Sequence, residues 1–390
     1  MRREVNVALV GNMNGMFHSL YFYLQKIERI NVELLSFEDD DSNFDLILNK
    51  FEKPSTKILN LTKKPSFFLK CSKKQIKNAF SPYDFIIGCG PTPAYLNRIN
   101  RRLDIFVPYG SDLYDIPVLK LKRSFTIRKM ISVISLRFHQ KWGIKRAKHT
   151  LIEDTNEMFE KLIPFRLKNR IALSLPFGET VEIEDIKLKQ QIKTLRLNNQ
   201  ILILHHCRHV WKCRGKDEVK MRMFSKGNDK FYKGLKLFIG KHPNIRIKVV
   251  TFENGIDFEF TKKLCDELKV SKNVIWLKPI VRGKILSIMS MFDAGVGELD
   301  HSFLSYGVVL ELINYNLPVI AKRTDGLYKN YSNLYPILNV ENEYDISLAL
   351  EKIAFEKDVM KGIKVDAYRW YYQNIFTKTT SWLVNRIISD

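Results

Sequence analysis

The residues best suited to chemistry lie together in residues 205–229, "HHCRHVWKCRGKDEVKMRMFSKGND". This segment contains three histidines, two cysteines and seven Lys or Arg residues, so a metal ion, a nucleic acid or a phosphorylated ligand could bind it. Tetrahedral zinc sites use paired ligands at short spacings, commonly in two separated halves, and this segment lacks the second half. Phosphate binding fits better, because a lysine and a glycine precede a helical pattern and place a cation beside backbone N–H groups. We therefore predict an anion site without a metal, in which Arg208 and Lys226 hold the phosphate oxygens.

Apolar runs that alternate with helical patterns surround this segment. Short apolar runs are typical of buried parallel strands, and they occur at residues 5–10, 32–35, 85–87, 105–107, 151–152, 201–204, 247–251, 274–277, 294–296 and 318–321. Helical patterns lie between the runs of the second half, at residues 230–240, 258–268, 284–291 and 308–315. This alternation predicts an α/β protein with two Rossmann-like domains that face each other across a cleft, with ligands at the carboxyl ends of the strands.

The predicted domains follow from a change of composition near residue 178. A polar, charged stretch at residues 179–200 separates the two series of apolar runs and is interpreted as the linker. We therefore expect an N-terminal domain at residues 1–180 and a C-terminal domain at residues 195–369. Residues 370–390 are rich in aromatic and apolar side chains, so we expect them to form a helix that returns to the first domain.

The composition limits the classes of molecule that the protein could bind and the cellular compartment in which it could lie. The formal net charge of +22 favours anionic partners such as phosphorylated molecules, acidic lipid or nucleic acid. No DNA- or RNA-binding motif is present, so nucleic acid is the weaker alternative. Five scattered cysteines do not resemble a disulfide framework, and the N-terminus reads as a strand that leads into glycine. We expect a cytoplasmic protein that lies peripherally on the inner face of the cell membrane.

The expected membrane contact is a basic amphipathic segment at residues 118–150, which contains no Asp or Glu. An apolar helical face is formed by Ile127, Met130, Ile131, Ile134, Phe138 and Trp142. An apolar face beside a basic face suits an anionic lipid surface, although a helix that packs on the core would show the same period. The residues predicted to contact the membrane are Lys122, Arg123, Arg128, Lys129 and Trp142.

Four motifs together resemble the retaining glycosyltransferases of family 4, which have the GT-B fold and use a nucleotide-diphosphate sugar. These motifs are "GNMNG", "DIFVPYGSDLY", "CRHVWK…SKGND" and "DAGVGELDHSFLSYGVVLELINYNLPVIA". "PYGSDL" also resembles a subset that acts on bacterial surface polysaccharides. The resemblance implies that Arg208 and Lys226 hold the donor diphosphate and stabilise the leaving nucleotide, and that Glu311 binds the donor ribose.

The sequence departs from the family pattern in three places. Phe303 stands eight residues before Glu311, where the family has its first glutamate. Gly307 lies one residue closer to Glu311 than the family's glycine, and Asn316 replaces the glycine before "LPVIA". The candidates to replace the first glutamate are Glu298, Asp300 and the backbone N–H groups of Tyr306 and Gly307.

Further site residues complete these expectations. Donor-binding candidates are Gly11, Asn12, Asn14, Gly15, Lys278, Tyr306, Gly307 and Val308. Acceptor or sugar candidates are Tyr109, Ser111, Asp112 and Glu298, although "YGSD" also suits a turn that Asp112 stabilises at a helix start.

The resemblance thus implies a hexosyltransferase-type enzyme without a cofactor. It moves a sugar, with retention, from the nucleotide donor to a lipid-linked or growing surface glycan. The alternatives are a sugar-nucleotide epimerase of the same architecture and a basic nucleic-acid-binding protein.

Overall fold

The computed structural model describes residues 3–11, 16–38, 56–152, 162–177, 183–197, 200–212, 224–302, 304–329 and 331–389. The chain divides into two compact units. The N-terminal unit comprises Met1–Thr180 and Ile375–Asp390, and the C-terminal unit comprises Val181–Asn374.

The described strands are β1 (Val5–Val10), β2 (Ile30–Phe37), β3 (Thr56–Leu59), β4 (Phe85–Gly88), β5 (Ile105–Phe106), β6 (His149–Leu151), β7 (Arg170–Ile171), β8 (Ile201–His205), β9 (Ile247–Phe252), β10 (Val274–Leu277), β11 (Ala294–Val296), β12 (Val319–Ala321) and β13 (Leu338–Asn339). The described α-helices are α1 (Met16–Leu24), α2 (Lys73–Phe80), α3 (Thr92–Arg98), α4 (Ser111–Tyr114), α5 (Ile127–Arg146), α6 (Ile186–Leu197), α7 (Asn228–Lys241), α8 (Phe258–Glu267), α9 (Arg282–Met289), α10 (Gly307–Asn314), α11 (Glu343–Phe355), α12 (Lys357–Tyr371) and α13 (Lys378–Ser389).

Each unit contains one parallel sheet. The order is β3-β2-β1-β4-β5-β6-β7 in the N-terminal unit and β10-β9-β8-β11-β12-β13 in the C-terminal unit. In both sheets the order reverses next to the first strand, between β1 and β4 and between β8 and β11. Ligands of such sheets bind outside the carboxyl ends of the strands at this reversal. The C-terminal unit therefore has its crevice after His205 and Val296.

Two glycines bring helix α10 close to this crevice. A Cβ on Gly295 of β11 would lie 2.2 Å from Cδ2 of Leu312, and one on Gly297 would lie 2.6 Å from Cγ2 of Val309. Both Leu312 and Val309 belong to α10 and are buried. The missing side chains thus allow α10 to pack directly on β11, so that its first turn lies at the end of the strand.

The predicted α/β architecture with two Rossmann-like units is confirmed. The apolar runs mark the central strands, which are buried on both faces, and the edge strand β10. The edge strands β3, β7 and β13 were not predicted, because they are short and partly exposed. The returning C-terminal segment is also confirmed: α13 packs in the N-terminal unit, where Thr379 Oγ1 donates to Ser174 O at 2.8 Å.

The boundary between the units differs from the predicted linker. The C-terminal unit begins at Val181 and not at residue 195, because α6 packs within it. Leu188 and Ile192 of this helix are buried, and Arg196 pairs with Asp293 at 3.2 Å. The returning segment begins at Ile375 and not at residue 370.

Candidate functional site

The segment before helix α7 positions Lys226 at the carboxyl edge of β8. Lys226 N–H donates to Val210 O at 2.6 Å, and Val210 N–H donates to Asn228 Oδ1 at 2.9 Å. Gly227 has φ +63°, a left-handed conformation that glycine adopts without strain. These contacts hold Lys226 beside the segment that leaves β8. Residues 213–223, between the two, lie outside the described part of the chain.

The Lys226 ammonium forms a buried ion pair. Its Nζ lies 2.8 Å from Glu298 Oε2, and the side chains are 10% and 1% exposed. The same Nζ lies 4.7 Å from the centroid of the Tyr306 ring. Burial raises the pKa of the Glu298 carboxyl, although Lys226 opposes this rise. A cation, a carboxylate and an aromatic ring therefore meet at the end of β11.

The first turn of α10 lies next to this cluster. Tyr306 is the N-cap residue, and no side chain caps the helix. Uncapped N–H groups at a helix start carry a partial positive charge and bind anions. The predicted donor-binding residues Tyr306, Gly307 and Val308 are the N-cap and the first two residues of this helix.

Glu311, on the same helix, is held by two partners. Its Oε1 lies 2.6 Å from Arg282 Nη2, and its Oε2 lies 3.2 Å from His206 Nε2. Burial by itself raises the pKa of Glu311, but Arg282 and His206 outweigh it, so the pKa lies below its ordinary value. Glu311 is thus a buried, ionised carboxylate with fixed orientation, which suits the binding of hydroxyl groups.

Arg282 and His206 were not predicted as site residues. Arg282 is the first residue of α9, and His206 immediately follows β8. The position of His206 directly after an apolar run was a usable signal, because ligands of parallel sheets bind at the carboxyl ends of the strands. Tyr306 connects both clusters, because Glu298, Arg208 and Glu311 all act on its pKa, which burial raises well above the ordinary value.

The remaining histidines and Cys207 of this segment stabilise the fold. His205 contacts Asn228 and Tyr232, and His209 contacts Thr251 at 3.0 Å. Burial lowers the pKa of both histidines. The Cys207 thiol points to Val296 O and Gly297 O. In the described part of the chain, no group of three or more His, Cys, Asp or Glu side chains is arranged to hold a metal ion.

Two predicted cations lie on the surface. Arg208 is exposed, and no ion pair joins it to another described residue. Lys278 is 84% exposed and pairs with Glu253. Their contacts with a donor stay predictions, and Phe303 lies outside the described residues.

In the N-terminal unit, Gly11 lies at the carboxyl end of β1. Its φ is +75°, and a Cβ there would lie 2.9 Å from Cys89 Sγ, so glycine is required. The other predicted residues of this loop, Asn12, Asn14 and Gly15, lie outside the described residues. A donor contact by the loop stays a prediction.

Asp112 organises the neighbouring loop. Its carboxylate accepts N–H groups of Gly90 at 2.8 Å, Tyr109 at 3.0 Å and Gly110 at 3.1 Å. It is fully buried, and burial raises its pKa to about 7 although these N–H groups oppose the rise. With no exposed surface, Asp112 stabilises the turn and does not offer its carboxylate to an acceptor. Tyr109 and Ser111 are partly exposed, and their acceptor contact stays a prediction.

Helix α5 presents an apolar stripe to solvent. Ile127 is 73% exposed, Phe138 57% and Trp142 46%, and Ile131 and Ile134 lie between them on the same face. The opposite face is buried against α3, where a Cβ on Gly143 would lie 2.1 Å from Pro93 O. The alternative of a stripe that packs on the core is therefore wrong for these five side chains. Of the predicted basic contacts, Lys122, Arg123 and Arg128 are exposed and Lys129 is partly exposed.

The described helices include none that is long and apolar enough to cross a membrane. The described cysteines are Cys71, Cys89, Cys207 and Cys265, and each is a buried thiol.

Solved structures with the same fold cover nearly the whole chain. HepE of Anabaena in complex with UDP-glucose matches with a TM-score of 0.65 and 12% identity, over 99% of this chain and 100% of that chain. A glycosyltransferase from Rickettsia africae ESF-5 matches with a TM-score of 0.63 and 13% identity, over 100% of both chains. A UDP-N-acetylglucosamine 2-epimerase matches with a TM-score of 0.53 and 11% identity, over 98% of this chain and 95% of that chain. No protein-family model and no curated protein sequence matches the chain. The two sheets with their interleaved helices, together with these neighbours, show that the chain has the GT-B fold.

Proposed function

We propose that the protein is a retaining glycosyltransferase of the family 4 type, which moves a sugar from a nucleotide-diphosphate donor to a lipid-linked or surface glycan. The observation that carries this proposal is helix α10. Its uncapped first turn adjoins the buried Lys226, and its buried Glu311 is held ionised by Arg282 and His206. The first turn suits a diphosphate, and the carboxylate suits a ribose.

The proposed sugar transfer requires that the charge on the leaving group be stabilised. Cleavage of the sugar–phosphate bond builds negative charge on the leaving diphosphate, and fixed cations and N–H groups stabilise it. Lys226 and the α10 N-terminus provide such groups, and the exposed Arg208 adds a guanidinium that can donate two parallel hydrogen bonds. No metal or cofactor is required by this proposal.

Two structures of a neighbour support the donor class. The Anabaena neighbour is a complex with UDP-glucose, and a related structure of it contains UDP. We propose that this chain likewise binds a nucleoside diphosphate sugar in its C-terminal unit.

The direct test has two stages. Thermal unfolding is first recorded with UDP-glucose, UDP-N-acetylglucosamine, GDP-mannose and dTDP-glucose, because a ligand that binds only the folded state raises the melting temperature. The labelled sugar nucleotide that raises it is then incubated with the protein and bacterial membranes. Label in the lipid or polysaccharide fraction, lost with Glu311→Gln, is the expected result. Absence of any thermal shift would overturn the proposal.

An epimerase is the second candidate, because an epimerase structure shares the fold and His206 adjoins a carboxylate at the site. Incubation with UDP-N-acetylglucosamine alone distinguishes the two reactions. An epimerase forms a new sugar nucleotide without any acceptor, whereas a transferase leaves the sugar nucleotide intact or only hydrolyses it slowly.

We propose that α5 places the enzyme on the cytoplasmic face of an anionic membrane. The exposed apolar stripe lies within a segment of 33 residues, 118–150, that contains no acidic side chain. Apolar side chains would enter the lipid interface while Lys and Arg bind acidic headgroups. Co-sedimentation with phosphatidylglycerol-containing vesicles, but not with phosphatidylcholine vesicles, is the expected result.

A further inference from the structure

The buried pair of Lys226 and Glu298 presents an electrostatic problem for donor binding. Glu298 is 1% exposed in its side chain, and Lys226 Nζ lies 2.8 Å from its Oε2. Its Oε1 accepts the N–H of Asp300 at 3.3 Å. The cation that the proposed function gives to the diphosphate is therefore already the partner of a buried carboxylate.

We propose that Glu298 is a positioning residue, which holds the Lys226 ammonium at the donor site and takes up one proton from solvent when the donor diphosphate binds Lys226. This inference rests on the proposed function. It assigns Glu298 a role distinct from direct contact with the sugar or the acceptor.

The physical reason is the sharing of one cation by two anions. A like charge beside a carboxylate favours its protonated form, and the effect is large where water is excluded. Burial already raises the pKa of Glu298 in the ligand-free protein. A diphosphate bound to Lys226 adds negative charge and weakens the opposing effect of the ammonium, so the pKa of Glu298 rises further.

Other ionisable groups also face Glu298, and each differs in its ability to accept the proton. Cys207 follows β8 and Tyr306 is the N-cap residue of α10, and burial raises the pKa of both, so they stay protonated at neutral pH. Asp300 is also partly buried, but hydrogen bonds from Lys230 and Ser225 outweigh burial and lower its pKa. His301 lies in the same loop and lowers the pKa of Glu298. Histidine is the class of side chain that titrates near neutral pH, so His301 needs its own control.

The test measures proton uptake on donor binding. Titration calorimetry of the full chain uses the sugar nucleotide from the four-member panel that gives the largest thermal shift, at pH 6.0, 7.0 and 8.0. Two buffers with different ionisation enthalpies are compared at each pH. The diphosphate of a sugar nucleotide is a diester and does not titrate in this range, so proton exchange reports the protein.

The expected result is a fractional proton uptake by the wild-type protein. Its affinity rises as the pH falls, by at most tenfold per pH unit. Glu298→Gln is expected to bind without proton uptake, whereas Glu298→Asp and His301→Asn retain it. If Glu298→Gln does not fold, the comparison of the wild-type protein with His301→Asn still tests the assignment.

Three results would overturn the inference. The wild-type protein could bind with the same heat in both buffers, Glu298→Gln could keep the proton uptake, or His301→Asn could lose the uptake that the wild-type protein shows. Failure of all four sugar nucleotides to bind is a different outcome, because it overturns the proposed function and with it this role of Glu298.

Discussion

Replacement of Arg282 by Met tests how the buried carboxylate on α10 is stabilised. Arg282 Nη2 lies 2.6 Å from Glu311 Oε1, and the side chains are 19% and 10% exposed. Removal of one partner from a buried ion pair costs about 3–5 kcal/mol, because a charge stays buried without compensation. His206 remains as a second partner of Glu311, so we expect a value near ~3 kcal/mol.

This loss is large enough to measure by calorimetry. A unit of 150–250 residues loses about 2–4 °C in melting temperature per kcal/mol, so Arg282→Met should lower the transition of the C-terminal unit by roughly 6–12 °C at pH 7.5. Lys278→Met is the matched control. It also removes a cation from an ion pair of this unit, but Lys278 is 84% exposed, and surface pairs contribute little. We expect no measurable change for the control.

The stability difference between Arg282→Met and the wild-type protein should depend on pH, in a direction that the pKa of Glu311 sets. Glu311 has a folded-state pKa below its ordinary value of 4.5. In the wild-type protein its pair therefore contributes stability above pH ~4.5 that is lost only as the pH falls through the lowered pKa. Without Arg282, burial raises the pKa of Glu311, and protonation relieves the buried charge. The difference in melting temperature between the variant and the wild-type protein should therefore be smaller at pH 5.0 than at pH 7.5.

A double variant separates charge from packing. Arg282→Met with Glu311→Gln removes both charges, so it should recover at least half of the stability lost by Arg282→Met alone. The reasoning would be refuted by an Arg282→Met transition within 2 °C of the wild-type protein at pH 7.5, or by an equal loss at both pH values.

Further predictions concern the donor cation, the packing of α5 and the membrane surface. Lys226→Met should weaken sugar-nucleotide binding by roughly 30-fold or more in calorimetry, since loss of one buried charge partner costs about 2 kcal/mol or more; a change below threefold would remove Lys226 from the site. Gly143→Ala should lower the melting temperature of the N-terminal unit, because its Cβ would lie 2.1 Å from Pro93 O. The control Gly362→Ala in α12 has open space around its Cβ and should stabilise the folded state by ~0.5–1 kcal/mol. Equal effects of the two changes would contradict the close packing of α5 on α3. Lys122, Arg123, Arg128 and Lys129 are replaced together by Glu to test the membrane surface. This charge reversal should lower the partition into anionic vesicles by about 10³-fold, at ~1 kcal/mol for each residue. The control reverses the same number of charges in the C-terminal unit, where the exposed Lys236, Arg246, Lys352 and Lys357 are replaced by Glu. This control should keep most of the binding to anionic vesicles.

The central strands and the edge strand β10 were predictable, but the edge strands β3, β7 and β13 were not. β1 and β11 have the bounds that their apolar runs indicated, because strands buried on both faces carry mostly apolar side chains. The edge strand β10 also has its indicated bounds, since its sequence VIWL is apolar although three of its four residues are only partly buried. Strand β3 has partly exposed and exposed residues at its first three positions. The pairing of β3 with β2 depends on tertiary contacts within the sheet and not on the pattern of apolar residues in β3 itself.

The site was predictable only where short motifs carry it. Lys226 and Glu311 follow from the resemblance of two continuous segments. The partners of Glu311 depend on tertiary contacts, since His206 lies 105 residues away in sequence and Arg282 belongs to another helix. Their meeting requires the register of β8 beside β11, where Leu204 pairs with Gly295, and the close packing of α10 on that glycine.

For α5, the spacing of the apolar residues predicted the helix but not which of its faces is buried. The stripe that includes Phe138 and Trp142 is more apolar than the opposite face, so burial of the stripe was a reasonable alternative. The structure buries the face with Ser132, Gln140 and Gly143. Gly143 permits backbone contact with α3, and Gln140 donates to Gly90 O and Asp112 O at 2.9 Å each. The same face also buries Val133, Leu136 and Ile144. Small size and hydrogen bonding therefore act together with apolar burial to decide the orientation of this helix.

Helix α10 combines two opposite electrostatic requirements. Its first turn is proposed to bind a diphosphate, yet Glu311 lies four residues after Gly307, about 6 Å along the helix axis at 1.5 Å per residue. Two unit negative charges 6 Å apart repel by about 3 kcal/mol at an effective dielectric constant of 20. An ionised carboxylate nevertheless accepts the ribose hydroxyl groups more strongly than a protonated one. Arg282 satisfies both requirements, because its guanidinium keeps Glu311 ionised and compensates the charge that the diphosphate would otherwise meet. Arg282→Met should therefore weaken donor binding as well as stability, and Glu311→Gln in the same chain should restore part of the affinity that the repulsion removes.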